Sequence, residues 1–113
     1  MKSDQASVVV DADGLPWRPT PFTGVSWKKL RFDKGTGGSA VLLRFDAGAR
    51  YGSHRHPGGE QYLVLDGTLD DGAQSYGKGA YVFHPPGSVH RPGSSTGCLL
   101  FVTLPVPIEL LAG

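Results

Sequence analysis

Cysteine is almost missing from this chain of 113 residues, in which Cys98 is the single example. One cysteine excludes an internal disulfide and is typical of proteins from a reducing compartment, so we expect a cytoplasmic location. Cys98 lies within the apolar segment CLLFVTL. That setting favours a buried thiol that packs in the core over a reactive one.

Long runs of one residue type are missing as well. No apolar run is long enough to cross a bilayer. The N-terminal segment MKSDQASVVVDADG has the features of neither a signal peptide nor a transit peptide. The 11 Lys and Arg residues are scattered, and with 10 Asp and Glu residues they give a formal net charge of +1. We therefore predict neither a nucleic-acid partner nor a membrane partner.

A helical repeat of apolar residues is absent from every ten-residue segment. Instead, 17 glycines and 9 prolines divide the chain into short apolar segments. This pattern predicts one all-β domain closed into a barrel, because closure removes the exposed edges of short strands. Strands are expected at residues 7–10, 25–32, 40–45, 50–56, 60–65, 67–70, 73–76, 80–84, 89–91 and 98–104, with a half-turn or a strand fragment at 108–113.

Three segments are expected along the chain: an arm at residues 1–24 that packs on the barrel, the barrel at 25–104, and a tail at 105–113. The arm contains LPWRPTPFTG, whose prolines exclude a central strand, while Trp17 and Phe22 could cover an apolar surface. The segment YLVL at 62–65 is apolar at both parities, which indicates a strand buried on both faces. A second copy of the chain is the simplest cover for the outer face, so we expect a homodimer; the arm is the alternative cover.

Four residues form the candidate site. His54 and His56 project from the same face of a strand, and the turn PGG brings Glu60 close to them. A second turn, PPG at 85–87, aims His90 toward the same region. Each histidine alone is more often an exposed or hydrogen-bonded side chain. Together with the carboxylate they predict a site for one divalent transition metal, with Fe(II) or Zn favoured and Mn or Ni as alternatives.

The spacing of these residues resembles the two sequence motifs of the cupins, whose small jelly-roll barrels carry a metal inside. The first motif is matched without a gap by Gly48, His54, His56, Glu60 and Gly67. The second is matched by Gly79, Pro85, Gly87 and His90, with Ser94 where the motif has Asn. Ser can make a hydrogen bond similar to that of Asn, so this departure leaves the metal site intact. The resemblance implies a single-domain cupin jelly-roll barrel.

The segments HPGGEQ, LVLDGTLDD, the turn PPGS and SSTGC further resemble the ChrR-like cupin family, over residues 15–104. That family includes the C-terminal domain of the ChrR anti-sigma factors. It is also similar to Fe(II) enzymes of the acetylacetone dioxygenase type, which cleave carbon–carbon bonds in diketones. No helical pattern precedes the barrel, so anti-sigma activity is not expected.

The resemblance implies a small-molecule ligand or substrate, for which three roles are open. One is Fe(II)-dependent dioxygenation that cleaves a small diketone or hydroxyketone. The alternative is a non-catalytic cupin that binds a small ligand or signal, with zinc or another divalent metal bound. A third role is sugar or acid isomerisation, in which the metal polarises a carbonyl.

Two further residues are tentative catalytic candidates beside the metal. Arg44 could pair with a substrate carboxylate or carbonyl, and a salt bridge at the barrel rim is as good an interpretation. His84 could act as an acid or base near the ligands, although an exposed rim histidine is favoured. The aromatic residues Tyr51, Tyr62, Phe83 and Phe101 are expected to fill the core rather than to line a cavity.

Overall fold

The computed structural model describes residues 6–72 and 74–112. These residues form twelve strands and one 3-10 turn, Ala12–Gly14. None of their helical segments is long and apolar enough to cross a membrane. The strands are β1 Arg18–Pro19, β2 Val25–Phe32, β3 Ser39–Phe45, β4 Ala49–Arg50, β5 His54–His56, β6 Glu60–Asp71, β7 Gln74–Gly77, β8 Tyr81–His84, β9 Ser88–His90, β10 Gly93–Ser94, β11 Cys98–Leu104 and β12 Glu109–Leu110.

Two antiparallel sheets build the barrel. The larger sheet has the order β1-β2-β3-β11-β6-β10-β4, and both β7 and β8 also pair with β6. The smaller sheet has the order β12-β5-β9. The sheets are curled and their inward side chains form one apolar core, which confirms the predicted all-β jelly-roll barrel.

The strand β6 is longer than the sequence indicated. Residues 60–65 and 67–70 were predicted as separate strands, but they belong to one strand of twelve residues. The pairing with β11 continues through this region with a bulge: Leu99 pairs with Asp66 and Leu100 pairs with Val64, so Leu65 has no partner on β11. A bulge accommodates the extra residue without ending the strand.

Other predicted strands are shorter or missing. Residues 7–10 were predicted as a strand, but they are exposed and unpaired, since no edge of the described sheets reaches them. The predicted strand at 50–56 is divided into β4 and β5. The segment at 108–113 does contain a strand: β12 pairs with β5 and is thus part of the smaller sheet. Strands β2 and β11 begin and end where they were predicted.

Within a single chain, β6 is buried on one face only, and the cover of its outer face by a second copy stays a prediction. Its inward residues Tyr62 and Val64 are buried, whereas Leu63 on the outer face is 37% exposed. The arm does not cover this face, because Phe22 packs at 4.5 Å from the ring of Tyr51 at the end of the barrel. Trp17 lies elsewhere, with Lys28 over its ring.

The core consists of inward side chains from four strands and the loop before β5. It includes Val25, Val41, Phe45, Tyr51, Tyr62, Val64, Leu69, Cys98, Leu100 and Val102. Burial of Cys98 and of the two tyrosines is as predicted. Phe83 and Phe101 were expected in the core as well, but strand parity directs both to the outer face, where they are exposed.

Candidate metal centre

The four predicted ligands lie together because two sheets meet there. His54 and His56 lie on β5, and His54 is directly opposite His90 of β9. The turn after His56 is closed by a bond from Gly59 N to His56 O of 3.1 Å, and Glu60 then begins β6. Each of the four offers one ligand atom, and these atoms all lie within 4.8 Å of one another.

The distances between the ligand atoms fit a single ion. Nε2 of His54 is 3.0 Å from Nε2 of His90. Oε1 of Glu60 is 3.3 Å from Nε2 of His56 and 3.6 Å from Nε2 of His90. Donors bound at about 2.1 Å from one ion are separated from adjacent donors by roughly 3.0 to 3.4 Å. Nε2 of His56 is buried and has no hydrogen-bond partner among the described residues. This donor set therefore suits a transition metal.

The outward nitrogen of each ligand histidine has a partner. Nδ1 of His54 lies 2.7 Å from the carbonyl oxygen of Gly52. Nδ1 of His56 lies 3.0 Å from Oγ of Ser88. Nδ1 of His90 lies 2.9 Å from Oδ2 of Asp71. When Nδ1 donates a proton to such a partner, the lone pair of Nε2 is free for a metal.

Burial keeps the imidazole of His54 uncharged, which is the form that binds a metal. Desolvation lowers the pKa of its imidazole to about 4, although the carbonyl of Gly52 acts in the opposite direction. At neutral pH this ring is uncharged, so metal binding to it releases no proton. The side chain packs edge-on against Tyr51, with ring centroids 5.1 Å apart.

A cavity of about 280 Å³ opens beside the ligands. His54, Glu60 and His90 lie in its wall, so a bound metal would be accessible from inside the barrel. The rest of the wall is largely apolar and includes Val41, Leu43, Phe45, Tyr51, Tyr62, Leu69, Leu100, Val102, Ile108 and Leu110. Tyr51 and Tyr62, expected only to fill the core, thus also line this cavity. Burial raises the pKa of both phenols, so they stay protonated at neutral pH.

His84 lies beside the cluster rather than on an exposed rim. Its Nε2 is 3.0 Å from the hydroxyl of Tyr62 and 3.6 Å from Oδ2 of Asp71. Its ring stacks on that of His56, with centroids 5.6 Å apart and planes inclined by 16°. The favoured exposed position was wrong because His84 shares inward strand parity with Val82, and only 15% of its side chain is exposed.

The structure does not bring Arg44 to the metal ligands. Arg44 alternates with the inward residues Leu43 and Phe45 on β3, so it faces outward. Its guanidinium lies 4.2 Å from the ring centroid of Trp17. Strand parity therefore corrects the expectation that Arg44 contacts a substrate, and the described salt bridges do not include it either.

Two residues beside the site were not found from the sequence. Ser88 precedes His90 by two positions, so the same-face rule for strands could have identified it. Asp71 lies in the segment DDG, between the strands predicted at 67–70 and 73–76. Its distance of 11 positions from Glu60 would place it on the opposite face of a regular strand.

Residues 5–106 match the family model described as the ChrR Cupin-like domain. The chain belongs to this family. No curated protein matches it. Among solved structures, it is similar to a protein from Methylibium petroleiphilum PM1 that is provisionally named an acetylacetone dioxygenase, with a TM-score of 0.90, 20% identity, and coverage of 99% of this chain and 85% of that one.

Two other structures are informative for a ChrR cupin-like chain. An acetylacetone dioxygenase from Acinetobacter johnsonii has a TM-score of 0.83 and 17% identity, covering 99% of this chain and 81% of that one. The structure of Rhodobacter sphaeroides SigE in complex with the anti-sigma ChrR has a TM-score of 0.70 and 25% identity, covering 83% of this chain and 51% of that one. The likenesses to the Methylibium and Acinetobacter proteins, both at under 25% identity, are evidence for the fold only.

In this ChrR cupin-like chain, Ser94 replaces the Asn of the second cupin motif. Its side chain is buried, and its hydroxyl donates to the carbonyl oxygen of Thr68. The substitution therefore preserves a hydrogen bond, as expected, but the partner lies on β6 and not in a local turn. None of the metal ligands is involved in this bond.

Proposed function

We propose that this chain binds one divalent transition metal through His54, His56, Glu60 and His90. We further propose that it acts with Fe(II) as a dioxygenase that cleaves a small diketone or hydroxyketone. One observation carries the proposal: three of the four ligands lie in the wall of an apolar cavity. A substrate enclosed there would meet the metal at one end and hydrocarbon side chains elsewhere.

The composition of the cavity wall favours an uncharged substrate. In the described part of the chain, neither Lys nor Arg lines the cavity, so a carboxylate or phosphate away from the metal would lack a partner. Two carbonyl or hydroxyl oxygens can bind at the end formed by His54, Glu60 and His90. The hydrocarbon part would then contact Val41 and Leu100.

The cavity volume limits the substrate to a small molecule. An apolar cavity of about 150 Å³ holds one benzene molecule. The cavity of about 280 Å³ therefore accommodates roughly ten non-hydrogen atoms. Diketones with short alkyl or aryl substituents are within this limit, and large polycyclic substrates are not.

The chain contributes binding, orientation and exclusion of water. A bound Fe(II) supplies open coordination positions and the redox chemistry that cleavage by O₂ requires. Val41, Leu100 and Val102 give the cavity a dry wall, and Phe22 covers Tyr51 from outside. The hydroxyl of Tyr62 keeps its proton and contacts Nε2 of His84. This contact holds the Tyr62 ring in its position in the cavity wall.

A second candidate function is a non-catalytic cupin that binds a small ligand with zinc. Four protein donors are enough to complete a tetrahedral zinc site, which is typical of structural zinc. The similarity to the anti-sigma ChrR in complex with SigE is compatible with this function. The absence of turnover with a stoichiometric zinc ion would distinguish it from the dioxygenase.

We also infer that the partners of this protein are a small molecule and a second copy of the chain, in the cytoplasm. The single buried cysteine supports a reducing compartment. Exposed apolar side chains on the outer face of the larger sheet support self-association.

The proposal is tested by metal analysis followed by O₂ uptake. Purified protein is loaded anaerobically with Fe(II), and its metal content and O₂ uptake with pentane-2,4-dione are measured. We expect one metal ion per chain and O₂ uptake that depends on the diketone. The variant His56→Ala should bind metal more than about 100-fold more weakly, because a buried ligand is removed.

Arg44→Ala is the matched control, since Arg44 lies on the outer face and its loss should change neither metal content nor uptake. Stoichiometric zinc without O₂ uptake would support the second candidate function. Failure of the wild-type protein to bind any divalent metal would contradict both.

A further inference from the structure

Asp71 contacts the metal site from outside the ligand cluster. Its Oδ2 lies 2.9 Å from Nδ1 of His90, and only 12% of the Asp71 side chain is exposed. The residue lies at the far end of β6, the strand that begins with the ligand Glu60. One strand thus supplies a metal ligand at its start and a carboxylate for another ligand at its end.

The bulge in β6 makes this arrangement possible. In a regular strand, Glu60 and Asp71 would face opposite sides because an odd number of positions separates them. The unpaired Leu65 shifts the alternation by one, so that Leu69 is buried and Asp71 points inward. The neighbouring Asp70 instead bonds to Ser75 at the surface.

The three ligand histidines differ in the charge of the group that lies next to their Nδ1 atom. Nδ1 of His54 faces a backbone carbonyl and Nδ1 of His56 faces a hydroxyl, both of which are neutral. Among these three, His90 has a carboxylate as its partner. A hydrogen bond to a carboxylate is stronger than one to a neutral acceptor, and it raises the basicity of the opposite ring nitrogen.

We propose that Asp71 is a positioning residue for the metal: it holds His90 with its proton on Nδ1 and its Nε2 lone pair toward the ion. Through its charge it makes His90 the strongest nitrogen donor of the site. This inference rests on the proposed metal binding and assigns a role within it to a residue outside the ligand set.

A competing interpretation uses the same atoms differently. Asp71, His84 and His90 also offer three donor atoms within 4.8 Å of one another. A second ion there would require His90 to bind two metals, one on each ring nitrogen. The contact of 2.9 Å between Nδ1 of His90 and Asp71 favours a direct hydrogen bond instead.

The test compares Asp71→Asn with Asp70→Asn, which changes the same charge one residue away. Zn affinity is measured by competition with a chelator, and the visible spectrum is recorded after Co(II) loading. Asp71→Asn keeps the shape and an acceptor oxygen but removes the charge, so we expect affinity to fall roughly 10- to 100-fold and the Co(II) bands to shift. Asp70→Asn should stay within about twofold of wild type with an unchanged spectrum.

A double-mutant cycle shows whether Asp71 acts through His90. In a His90→Ala background, Asp71→Asn should change affinity by less than about twofold. Thermal melting of the metal-free variants controls for folding. Equal affinities of the Asp71 and Asp70 variants would overturn the inference, as would a full additional loss in the His90→Ala background. Two ions in wild type and one in Asp71→Asn would overturn it in favour of a second site. If the wild type binds no metal, the proposed function fails as well.

Discussion

Gly67 pairs with Cys98 two residues beyond the bulge of β6 and has a positive φ of 73°. A Cβ added there would overlap the carbonyl oxygen of Gly97 and would lie 2.8 Å from Cα of Cys98. Both obstacles are backbone atoms, which cannot move without disturbing the pairing of the two strands. This close approach gives a physical reason for the glycine at the end of the first cupin motif.

Gly67→Ala is therefore expected to lower the free energy of unfolding by at least about 3 kcal/mol, from the strained φ and the overlap together. Gly79→Ala is the matched control, because Gly79 has a φ of 90° but an added Cβ would meet no atom within 4 Å. The Gly79→Ala substitution should lower the free energy of unfolding by only about 1 kcal/mol, from backbone strain alone. Chemical denaturation measures both, and equal losses would contradict the role of the close approach.

The metal ligands could be predicted from the sequence, but Asp71, the hydrogen-bond partner of the ligand His90, could not. Spacing alone places His54 and His56 on one face and Glu60 after a tight turn, since strand alternation and turn chemistry are local. The position of Asp71 depends on Leu65 having no partner on β11. A bulge is decided by pairing between strands more than thirty residues apart, and the segment DDG carries no local signal of it.

Strand β12, in the C-terminal tail, pairs with β5, the strand that carries the ligands His54 and His56. Glu109 pairs with Arg55 across the two strands, and the side chains form two contacts of 3.1 and 3.2 Å. The amide of Leu111 donates to the carbonyl oxygen of Ser53 at 3.0 Å. Leu110 lines the cavity and is also partly exposed, so β12 lies at its mouth. Local opening of β12 would therefore admit ligand.

Glu109→Gln should make this opening more frequent, because the neutral amide loses the charge interaction with Arg55. An exposed ion pair of this kind contributes at most about 1 kcal/mol. Hydrogen exchange at the amide of Leu111 should thus accelerate by no more than about fivefold. High salt should accelerate exchange in wild type and leave the variant nearly unchanged.

Asp66→Asn is the control for this experiment, since it removes one carboxylate charge from an exposed position on β6, a strand that does not pair with β12. It should leave exchange at Leu111 unaltered. The same exchange rate in wild type and Glu109→Gln at low salt would show that the ion pair does not hold β12.

The bounds of long strands were easier to predict from the sequence than the existence of short ones. β2 and β11 are strands of eight and seven residues between turns, and both begin and end as predicted. Residues 7–10 contain three valines and still form no strand, because β propensity is realised only when a partner edge is available. β12 has two residues and exists through its contact with β5, so sequence pattern alone left a half-turn as an equal interpretation.

The whole molecule presents an apolar row on the outside of the larger sheet. Four residues in register cross four strands: Leu42, Phe101, Leu63 and Tyr81. Tyr81 is 61% exposed, and the nearby Phe83 is 56% exposed. A contiguous apolar surface of this kind is uncommon on a monomer. The predicted cover for the outer face of β6 is not provided by the described chain itself, so Leu63 stays exposed.

A second copy of the chain matches this row, because a twofold axis would place one apolar row against another. We expect sedimentation equilibrium to find a dimer at micromolar concentration. The double substitution Tyr81→Ser and Phe83→Ser should weaken the dimer at least about 100-fold, since two exposed aromatic rings lose their contact area. Phe32→Ser is the control, because Phe32 is 59% exposed at the end of β2, outside the row. A wild-type monomer throughout, or a dimer that both variants retain equally, would exclude this row as the interface.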